Sequence, residues 1–282
     1  MSVPFKIDLS GKTAVVTGAG GVICSSFSAA LAECGAKVAV LDLSEKAANL
    51  TASTINANGG TAKAYVCNVL KKDSLEAVCD AVIADFGSID ILINGAGGNS
   101  PKATTTKEYF ETDDIDKEDV VSFFDLPTEG FGFVFDLNIL GTLLPTQVFG
   151  KKMVKNGGCI INISSMNAFR PLTKIPAYSA AKAGVSNLTM WLAVHFSKMN
   201  IRVNAIAPGF FATNQNRALL FDENGNPTPR THKILAATPM GRFGEISDLT
   251  GALLFLCDNN ASAFVNGIVL PVDGGFSAYS GV

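Results

Sequence analysis

The sequence predicts an α/β fold in which helices cover both faces of a parallel sheet of about seven strands. Seven short runs rich in β-branched residues alternate with helix-like stretches along 282 residues, which is the pattern of repeated βαβ units. Hydrophobic residues make up 48% of the chain and 27 residues are glycine, as a buried parallel sheet with tight turns requires. The length suits one large domain, 1–282.

The predicted elements follow one another in a regular order. Residues 13–16 form the first strand, and a glycine-rich turn separates it from a helix that ends near Gly35. A polar helix is expected at 44–58. The remaining strands are expected at 37–41, 64–66, 89–93, 159–163, 201–206 and 268–272.

Two long segments interrupt this alternation. Residues 97–129 include an acidic stretch at 111–119, and the second long segment is 208–244. Each exceeds the ~12–15 residues of an ordinary connection, so we expect each to cover a site or contact a partner. The acidic stretch by itself is more typical of a solvated surface.

Composition excludes several classes of protein. The net charge of −3 gives no basis for a nucleic-acid partner. Six cysteines without a C-x-x-C pair and only two histidines argue against a metal site. The N-terminal residues lack the apolar core of a signal peptide, and no apolar run approaches the ~20 residues that span a bilayer. We therefore expect a cytoplasmic protein without a membrane partner.

Residues 17–24 (TGAGGVIC) follow the first strand and open the next helix. Glycines there permit a tight turn and let backbone N–H groups approach a pyrophosphate at the helix N-terminus. The spacing is not a strict G-x-G-x-x-G, and a glycine turn without a ligand is the alternative. The position after the first strand favours a dinucleotide site, whose expected residues are Gly18, Gly20, Gly21, Val22 and Ile23.

Asp42 ends the second predicted strand. A carboxylate there can accept hydrogen bonds from ribose hydroxyls and repels a 2′-phosphate, so it favours NAD over NADP. A helix N-cap or a solvent-facing charge is the alternative. The residues expected to frame the adenine are Asn68 and Val69, and those expected near the adenosine are Asn94, Ala96 and Gly97.

Tyr178 and Lys182 lie four residues apart, on one face of a predicted helix. A lysine ammonium near a tyrosine stabilises the phenolate and lowers the tyrosine's pKa, which suits proton transfer to or from an alcohol or carbonyl oxygen. Ser165 follows the strand at 159–163, so it lies at the edge of the sheet where ligands bind. The pair alone is weak evidence, because Tyr and Lys fall four apart on many solvated helices.

Together these motifs resemble those of the short-chain dehydrogenase/reductase family, from residue 12 to about residue 276. The markers are TGAGGVIC at 17–24, NGAG at 94–97, NISS at 162–165, YSAAK at 178–182 and NAIAPG at 204–209. The resemblance implies a Rossmann-like, doubly wound sheet with a dinucleotide-binding half at about 8–157 and a catalytic and substrate half at about 158–282. It also implies hydride transfer between NAD(P) and a carbinol or carbonyl carbon, and a homotetramer.

The same resemblance implies a role for each matching residue. Tyr178 is the general acid/base, and Lys182 lowers its pKa and holds the nicotinamide ribose. Ser165 hydrogen-bonds the reacting oxygen. Asn138 keeps a proton-relay water in place, although a helix-interior Asn satisfied by backbone is the alternative. The residues implied beside the nicotinamide are Pro208, Gly209, Phe211 and Thr213.

Several positions depart from the family pattern. Val22 and Cys24 stand where glycine is usual, Asn68 stands where Asp is usual, and Gly95 stands where a second Asn is usual. The span from the NGAG motif to Asn138 is also longer than usual.

Within the family, several stretches resemble the D-mannonate oxidoreductases, also called fructuronate reductases. They include 95–105 (GAGGNSPKATT), 166–182 and 210–217 (FFATNQNR). This resemblance implies a six-carbon sugar acid, whose carboxylate needs a cation and whose hydroxyls need amide or hydroxyl partners. The expected substrate residues are Asn99, Asn167, Arg170 and Arg217, with Lys174, Asn214 and Gln215 nearby. For the cations, a solvated surface charge is the alternative.

Three other functions stay open. Another sugar-acid or polyol dehydrogenase of the gluconate type is the nearest. A 3-oxoacyl reductase is disfavoured by the polar substrate segments and by Asp42. A non-catalytic dinucleotide-binding regulator has no need for the acid/base pair of Tyr178 and Lys182.

Overall fold

A seven-stranded sheet forms the frame of the molecule, as predicted. A computed structural model describes residues 6–212 and 220–281. All neighbouring strands are parallel, in the order β3-β2-β1-β4-β5-β6-β7. The strands are β1 Thr13–Thr17, β2 Lys37–Asp42, β3 Thr61–Val66, β4 Ile91–Asn94, β5 Gly158–Ile163, β6 Ile201–Pro208 and β7 Val269–Val272.

Helices connect the strands and lie on both faces of the sheet. They are α1 Val22–Glu33, α2 Glu45–Ala57, α3 Lys72–Phe86, α4 Thr128–Phe135, α5 Gly141–Met153, α6 Pro176–His195, α7 Pro229–Ala236, α8 Ile246–Cys257 and the short α9 Asn259–Ser262. A π-helical turn, Asp136–Leu140, joins α4 to α5. The predicted alternation of strand and helix is confirmed.

Alternate residues of the strands pack in two separate cores, one on each face of the sheet. Val16 of β1 packs in a core with Phe27 of α1 and Leu253 of α8. Its neighbour Val15 points to the opposite face, in a core with Phe149 of α5. This division follows from the period-two geometry of a strand, which sends successive side chains to opposite faces. Burial on both faces explains why the strand sequences are almost continuously hydrophobic.

The strand order reverses between β1 and β4. The chain first builds outward from β1 to β3 and then returns to add β4 on the other side of β1. Connections leave the two neighbouring strands in opposite directions, so a crevice opens at their carboxyl ends. The motif residues at 17–24 and 94–97 both lie at this edge.

The first long segment has short helical turns and its own ionic anchor. The 3₁₀ turns Pro101–Ala103, Thr112–Asp114 and Phe123–Asp125 lie within it. The side chain of Asp114 is fully buried, with its carboxylate 2.6 Å from Lys107 Nζ and 3.0 Å from Lys117 Nζ. These contacts lower the pKa of Asp114 to about 2. Much of the acidic stretch 111–119 is exposed, while this one carboxylate holds the segment together.

Among the described residues, one helical stretch is long and apolar enough to cross a membrane, Thr128–Met153. It includes the π turn with the buried polar side chain of Asn138. Its second half, α5, packs against β4 and β5 and contributes Phe149 to the core. We interpret the stretch as one of the helices that cover the sheet.

Candidate active site

A cleft of about 730 Å³ opens at the carboxyl ends of the strands. Most of the residues predicted to bind a dinucleotide line it, together with two of the predicted catalytic residues. They are Gly18, Gly21, Val22, Ile23, Asp42, Asn68, Val69, Ala96, Gly97, Ser165, Tyr178, Pro208, Gly209 and Phe211. Thr213 lies outside the described residues.

Two glycines in the floor of the cleft lie in close contact with neighbouring residues. Gly18 has φ +65°, and a Cβ there would lie 2.9 Å from the Cα of Ala96. A Cβ on Gly20 would lie 2.5 Å from the Cβ of Ala47 and 2.9 Å from a carboxylate oxygen of Asp42. Neither position accepts a side chain without a backbone shift. Both glycines therefore keep this part of the cleft floor free of side chains, which leaves room for a bulky ligand.

The N-terminus of α1 is open to the cleft. Gly21 is its N-cap and supplies no side-chain hydrogen bond, whereas the N-cap of α2, Ser44, accepts a hydrogen bond from Ala47 N. The first N–H groups of a helix need partners, and an uncapped start suits an anion. The site therefore fits the pyrophosphate of a dinucleotide.

Asp42 is held in place by two backbone amides. Gly20 N donates to its Oδ2 and Ser44 N donates to its Oδ1, each at 2.9 Å. Both carboxylate oxygens keep a free lone pair, and the residue lines the cleft. Asp42 is not the N-cap of α2, which is Ser44, and it lies in a position suited to ribose hydroxyls.

Two departures from the family pattern are explained by one contact. A Cβ on Gly95 would lie 2.1 Å from the Sγ of Cys24 and 2.9 Å from the carbonyl oxygen of Thr17. The buried thiol of Cys24 therefore occupies the space that a side chain at position 95 would need. Cys24 and Gly95 compensate each other, which no local motif could indicate.

The side chain of Asn94 lies in the core and not in the cleft, while the approach of the 94–97 backbone to the adenosine stays a prediction. That side chain is buried, and its Nδ2 donates to Thr146 Oγ1 at 2.9 Å and to Asn162 Oδ1 at 2.8 Å. Thr17 Oγ1 accepts hydrogen bonds from the amides of Gly95 and Ala96. Asn94 thus anchors the end of β4 in the core. The backbone that follows it lines the cleft.

Lys182 is buried at the bottom of the site. Its Nζ donates to the carbonyl oxygen of Ile163 at 2.7 Å and lies 5.6 Å from the centre of the Tyr178 ring. Both side chains leave the first two turns of α6 in the same direction, as their spacing predicts. Because Ile163 ends β5, this hydrogen bond fixes the helix to the strand that leads to Ser165.

Burial controls the titration of this pair. It lowers the pKa of Lys182 to about 8, and nearby Cys24 opposes that shift. Burial also raises the pKa of Tyr178 above its ordinary value, and a hydrogen bond with Ser165 opposes that rise. Burial thus outweighs the Ser165 hydrogen bond in setting the pKa of Tyr178, and the lowering of that pKa by Lys182 stays a prediction.

Asn138 lies in the π-helical turn, a distortion that occurs mostly at functional sites. Its Nδ2 donates to the carbonyl oxygens of Gly98, at 2.8 Å, and Val134, at 2.7 Å. Its Oδ1 accepts from Gly98 N at 3.2 Å. A Cβ on Gly97 would lie 2.7 Å from that Oδ1 and 3.1 Å from Lys182 Nζ, so Asn138 and Lys182 meet beneath this glycine.

Ser165 and Asn167 share a turn after β5. Ser165 Oγ accepts a hydrogen bond from Asn167 N at 3.3 Å, at the start of the 3₁₀ turn Met166–Ala168. Asn167 is 4% exposed and its Oδ1 has no hydrogen-bond partner among the described residues. A buried amide oxygen without a partner is uncommon and indicates a missing donor.

Asn99 and Arg170, two other predicted substrate residues, are not among the residues that line the cleft. Asn99 is exposed and donates to Thr104 Oγ1 at 3.0 Å. Arg170 is exposed, and its Nε donates to the carbonyl oxygen of Ser277 at 3.2 Å. Asn214, Gln215 and Arg217 lie outside the described residues.

Some lining residues were not predicted. Phe133 and Leu137 face the cleft from the helix that carries Asn138, and Phe210 follows the turn at Pro208. Their spacing on a helix is typical of core residues, so the sequence contains no signal that separates them from the core. The carbonyl of Ile163 was also missed, because backbone groups leave no mark in a sequence.

Comparisons with known proteins agree with the geometry of the site. A family model described as Enoyl-(Acyl carrier protein) reductase matches residues 18–277. An "Uncharacterized oxidoreductase" of Haemophilus influenzae is 60% identical, with 100% of this chain and 99% of the relative covered. A solved structure, "a putative D-Mannonate oxidoreductase from Haemophilus influenza" with bound NAD, has a TM-score of 0.95 and 59% identity over 100% of both chains.

More distant relatives act on different alcohols. The 2-dehydro-3-deoxy-D-gluconate 5-dehydrogenase of Escherichia coli is 35% identical, with 96% of this chain and 97% of the relative covered. The 7alpha-hydroxysteroid dehydrogenase of Escherichia coli is 34% identical, with 95% and 94% covered. Similarity at this level therefore leaves the substrate open while the fold stays the same.

Proposed function

The chain belongs to the short-chain dehydrogenase/reductase family, and from this premise we propose that it interconverts a sugar acid and its keto form, D-mannonate and D-fructuronate. It is an NAD-dependent oxidoreductase that acts on CH–OH groups. The observation that carries the substrate is the solved relative described as "a putative D-Mannonate oxidoreductase", which matches this chain over its whole length at 59% identity.

NAD is the cofactor of this reaction. The uncapped N-terminus of α1 suits its pyrophosphate, and Asp42 suits its adenosine ribose and repels the 2′-phosphate of NADP. When bound, NAD⁺ would supply the acceptor for the hydride that leaves the carbinol carbon.

Within this proposal, the side chains of the site move and hold the proton. In oxidation, the phenolate oxygen of Tyr178 removes the proton of the substrate hydroxyl, and in reduction the phenol returns it to the carbonyl oxygen. Ser165 hydrogen-bonds the same substrate oxygen. Lys182 is positioned by the Ile163 carbonyl to stabilise the phenolate, and Asn138 supports the proton path from the π turn.

Polar groups around the site support a sugar acid over an apolar substrate. Asn167 carries a buried amide oxygen without a partner next to Ser165, which suits a donor such as a hydroxyl. The sequence predicts Arg170 and Arg217 as cations for the carboxylate, but Arg170 already donates to the carbonyl oxygen of Ser277 and Arg217 lies outside the described residues. An acyl or steroid substrate would offer the Asn167 oxygen fewer hydroxyl donors.

Assembly and location remain predictions. A homotetramer is supported by exposed apolar side chains on α6, since Met190, Trp191 and Val194 are 46%, 58% and 77% exposed. The cytoplasm is expected from the sequence.

The test is NADH formation by the purified protein with NAD⁺ and a substrate panel. The panel holds D-mannonate, D-gluconate, other aldonates, neutral polyols and a 7α-hydroxysteroid, and the reduction of a 3-oxoacyl thioester is assayed with NADH. We expect D-mannonate to have the highest kcat/KM. The Tyr178→Phe variant serves as the control for contaminating activity.

Other outcomes would change the proposal. A higher kcat/KM for D-gluconate or a polyol would keep the chemistry and replace the substrate. Binding of NADH without turnover of any compound would instead favour the regulator.

A further inference from the structure

Four charged side chains from three separate segments interact with one another. Glu108 belongs to the first long segment, Lys174 to the loop before α6, and Arg230 and Lys233 to α7. Lys233 Nζ lies 2.7 Å from a carboxylate oxygen of Glu108. Lys174 and Arg230 also interact electrostatically with Glu108 and help to lower its pKa. We call these four residues the rim cluster.

The rim cluster has more positive than negative charge. Three cations share one carboxylate, and Lys233 holds it in a close ion pair. Neither Lys174 nor Arg230 has a side-chain hydrogen bond or ion pair within 6–212 and 220–281, although both are partly buried. In a protein of net charge −3, two cations that interact only with a carboxylate already paired to Lys233, among the residues the structure describes, need an explanation.

The placement of the two free cations is unfavourable for the helices. Arg230 lies in the first turn of α7, and Lys174 lies just before α6 begins at Pro176. A helix N-terminus carries a partial positive charge, so a cation there is unfavourable for the helix. A bound anion would offset the positive charge at both helix starts.

Lys174 also has a strained backbone. Its φ is +72°, a left-handed conformation that is uncommon for a residue other than glycine, asparagine or aspartate. Its carbonyl oxygen accepts a hydrogen bond from Thr105 N at 2.9 Å, which ties the loop to the first long segment. Strain of this kind is found mostly at ligand sites, where the surrounding structure holds the residue in place.

One member of the cluster lies on the segment that carries two of the catalytic residues. Lys174 is between Ser165 and Tyr178, both of which line the cleft, and it is four residues before Tyr178, so their Cα atoms are at most about 14 Å apart. Long lysine and arginine side chains can span the rest of a six-carbon substrate. A carboxylate at the rim and a hydroxyl at Tyr178 are therefore compatible with one bound sugar acid.

We propose that Lys174 and Arg230 form the carboxylate-binding pair of the substrate site, with Glu108 holding Lys233 aside. This inference rests on the proposed sugar-acid function. The pair would act as specificity-determining residues: Arg230 can bind a carboxylate through two N–H groups, and Lys174 adds a point charge.

The test uses Lys174→Gln, Arg230→Gln and the double variant, each saturated with NADH. Binding of D-mannonate is measured by calorimetry, and kcat and KM are measured for its oxidation. Lys155→Gln is the matched control, because Lys155 is exposed and lies on a different segment. Lys174→Asn is a second variant, since asparagine tolerates the left-handed backbone and keeps the loop folded.

We expect each single variant to weaken D-mannonate binding about tenfold and the double variant on the order of a hundredfold, with kcat within about twofold. The KM of any neutral polyol that the enzyme oxidises should not change, which separates charge recognition from loss of structure. Raising the salt concentration should weaken D-mannonate binding in the wild type and much less in the double variant.

The outcomes separate this inference from the proposed function. If the wild type binds and oxidises D-mannonate and the double variant does so equally well, the carboxylate pair is wrong and the function stands. If the wild type neither binds nor oxidises any sugar acid, the proposed function fails and the inference fails with it. Equal weakening in Lys155→Gln would also overturn the pair.

Discussion

Different interactions hold the catalytic floor of the site and the rim cluster in place. The catalytic floor consists of Asn138, Ser165, Tyr178 and Lys182, of which Asn138 is 0% and Lys182 is 5% exposed. Short hydrogen bonds to backbone carbonyls hold these two side chains. In the rim cluster, the side chain of Lys233 is 66% exposed and one ion pair joins it to Glu108.

This difference indicates where the protein tolerates a change of residue. In the catalytic floor, backbone atoms surround each side chain, so even one added methyl group must move the chain. At the rim, charges act through water and across flexible side chains, so each contributes less and salt weakens it. Relatives can therefore share one proton-transfer chemistry and act on different alcohols.

The largest effect is expected for Tyr178→Phe. The ring keeps its packing while the proton donor is lost, so kcat should fall about 10³-fold or more with little change in NADH affinity. Steady-state kinetics and an NADH titration measure the two quantities. Appreciable turnover in this variant would show that Tyr178 is not the general acid/base.

A second large effect concerns the stability of the floor. Burial lowers the pKa of Lys182 to about 8 from an ordinary 10.5, so the folded chain releases this proton before the unfolded chain does. The buried charge therefore destabilises the fold below pH 8, and stability recovers on the order of 3 kcal/mol as pH rises from 8 toward 10.5.

Lys182→Met removes this penalty along with the activity. The melting temperature of the variant relative to the wild type should be highest at about pH 7 and should fall as the pH approaches about 10. Thermal melts across this range measure the trend. A difference that stays constant or grows with pH would show that burial does not control Lys182.

The third prediction adds one methyl group to the floor. In Gly97→Ala the new Cβ would lie 2.7 Å from Asn138 Oδ1 and 3.1 Å from Lys182 Nζ, so both side chains must move. We expect kcat/KM to fall about 10²-fold, since small misplacements of catalytic groups have effects of this size. Gly132→Ala is the control, because a Cβ there meets no atom within 4 Å and should leave kcat/KM unchanged.

The fourth prediction concerns the compensating pair beneath the cofactor cleft. Gly95→Ala should destabilise the fold by about 1–3 kcal/mol, because its Cβ would overlap the thiol of Cys24. In a Cys24→Ala background the penalty should shrink by at least about 1 kcal/mol, leaving the contact with the Thr17 carbonyl. Urea unfolding of the four proteins of this cycle measures the coupling. Additive losses would mean that the two positions are independent.

The smallest effect is expected at the rim. Glu108→Gln breaks the ion pair with Lys233, which is largely exposed to water, so the free energy of unfolding should change little. The difference should vanish at high salt. Denaturation at two ionic strengths tests this. A loss as large as that of Gly95→Ala that resists salt would place Glu108 with the buried residues instead.

Much of this molecule follows from local patterns in the sequence. The apolar runs predicted all seven strands, because a parallel sheet that is buried on both faces needs continuous hydrophobic sequence. The position of the glycine turn after β1 and of Asp42 after β2 predicted where the cofactor lies, since parallel strands end at one edge. The spacing of Tyr178 and Lys182 predicted that they share a helix face.

Tertiary structure alone decided the rest. It turned Asn94 into the core, raised the pKa of Tyr178 through burial, and paired Cys24 with Gly95. It also brought Glu108, Lys174 and α7 together from segments far apart in the chain. Burial and contact between distant residues depend on how the layers pack, and a local pattern of residue types contains no record of that packing.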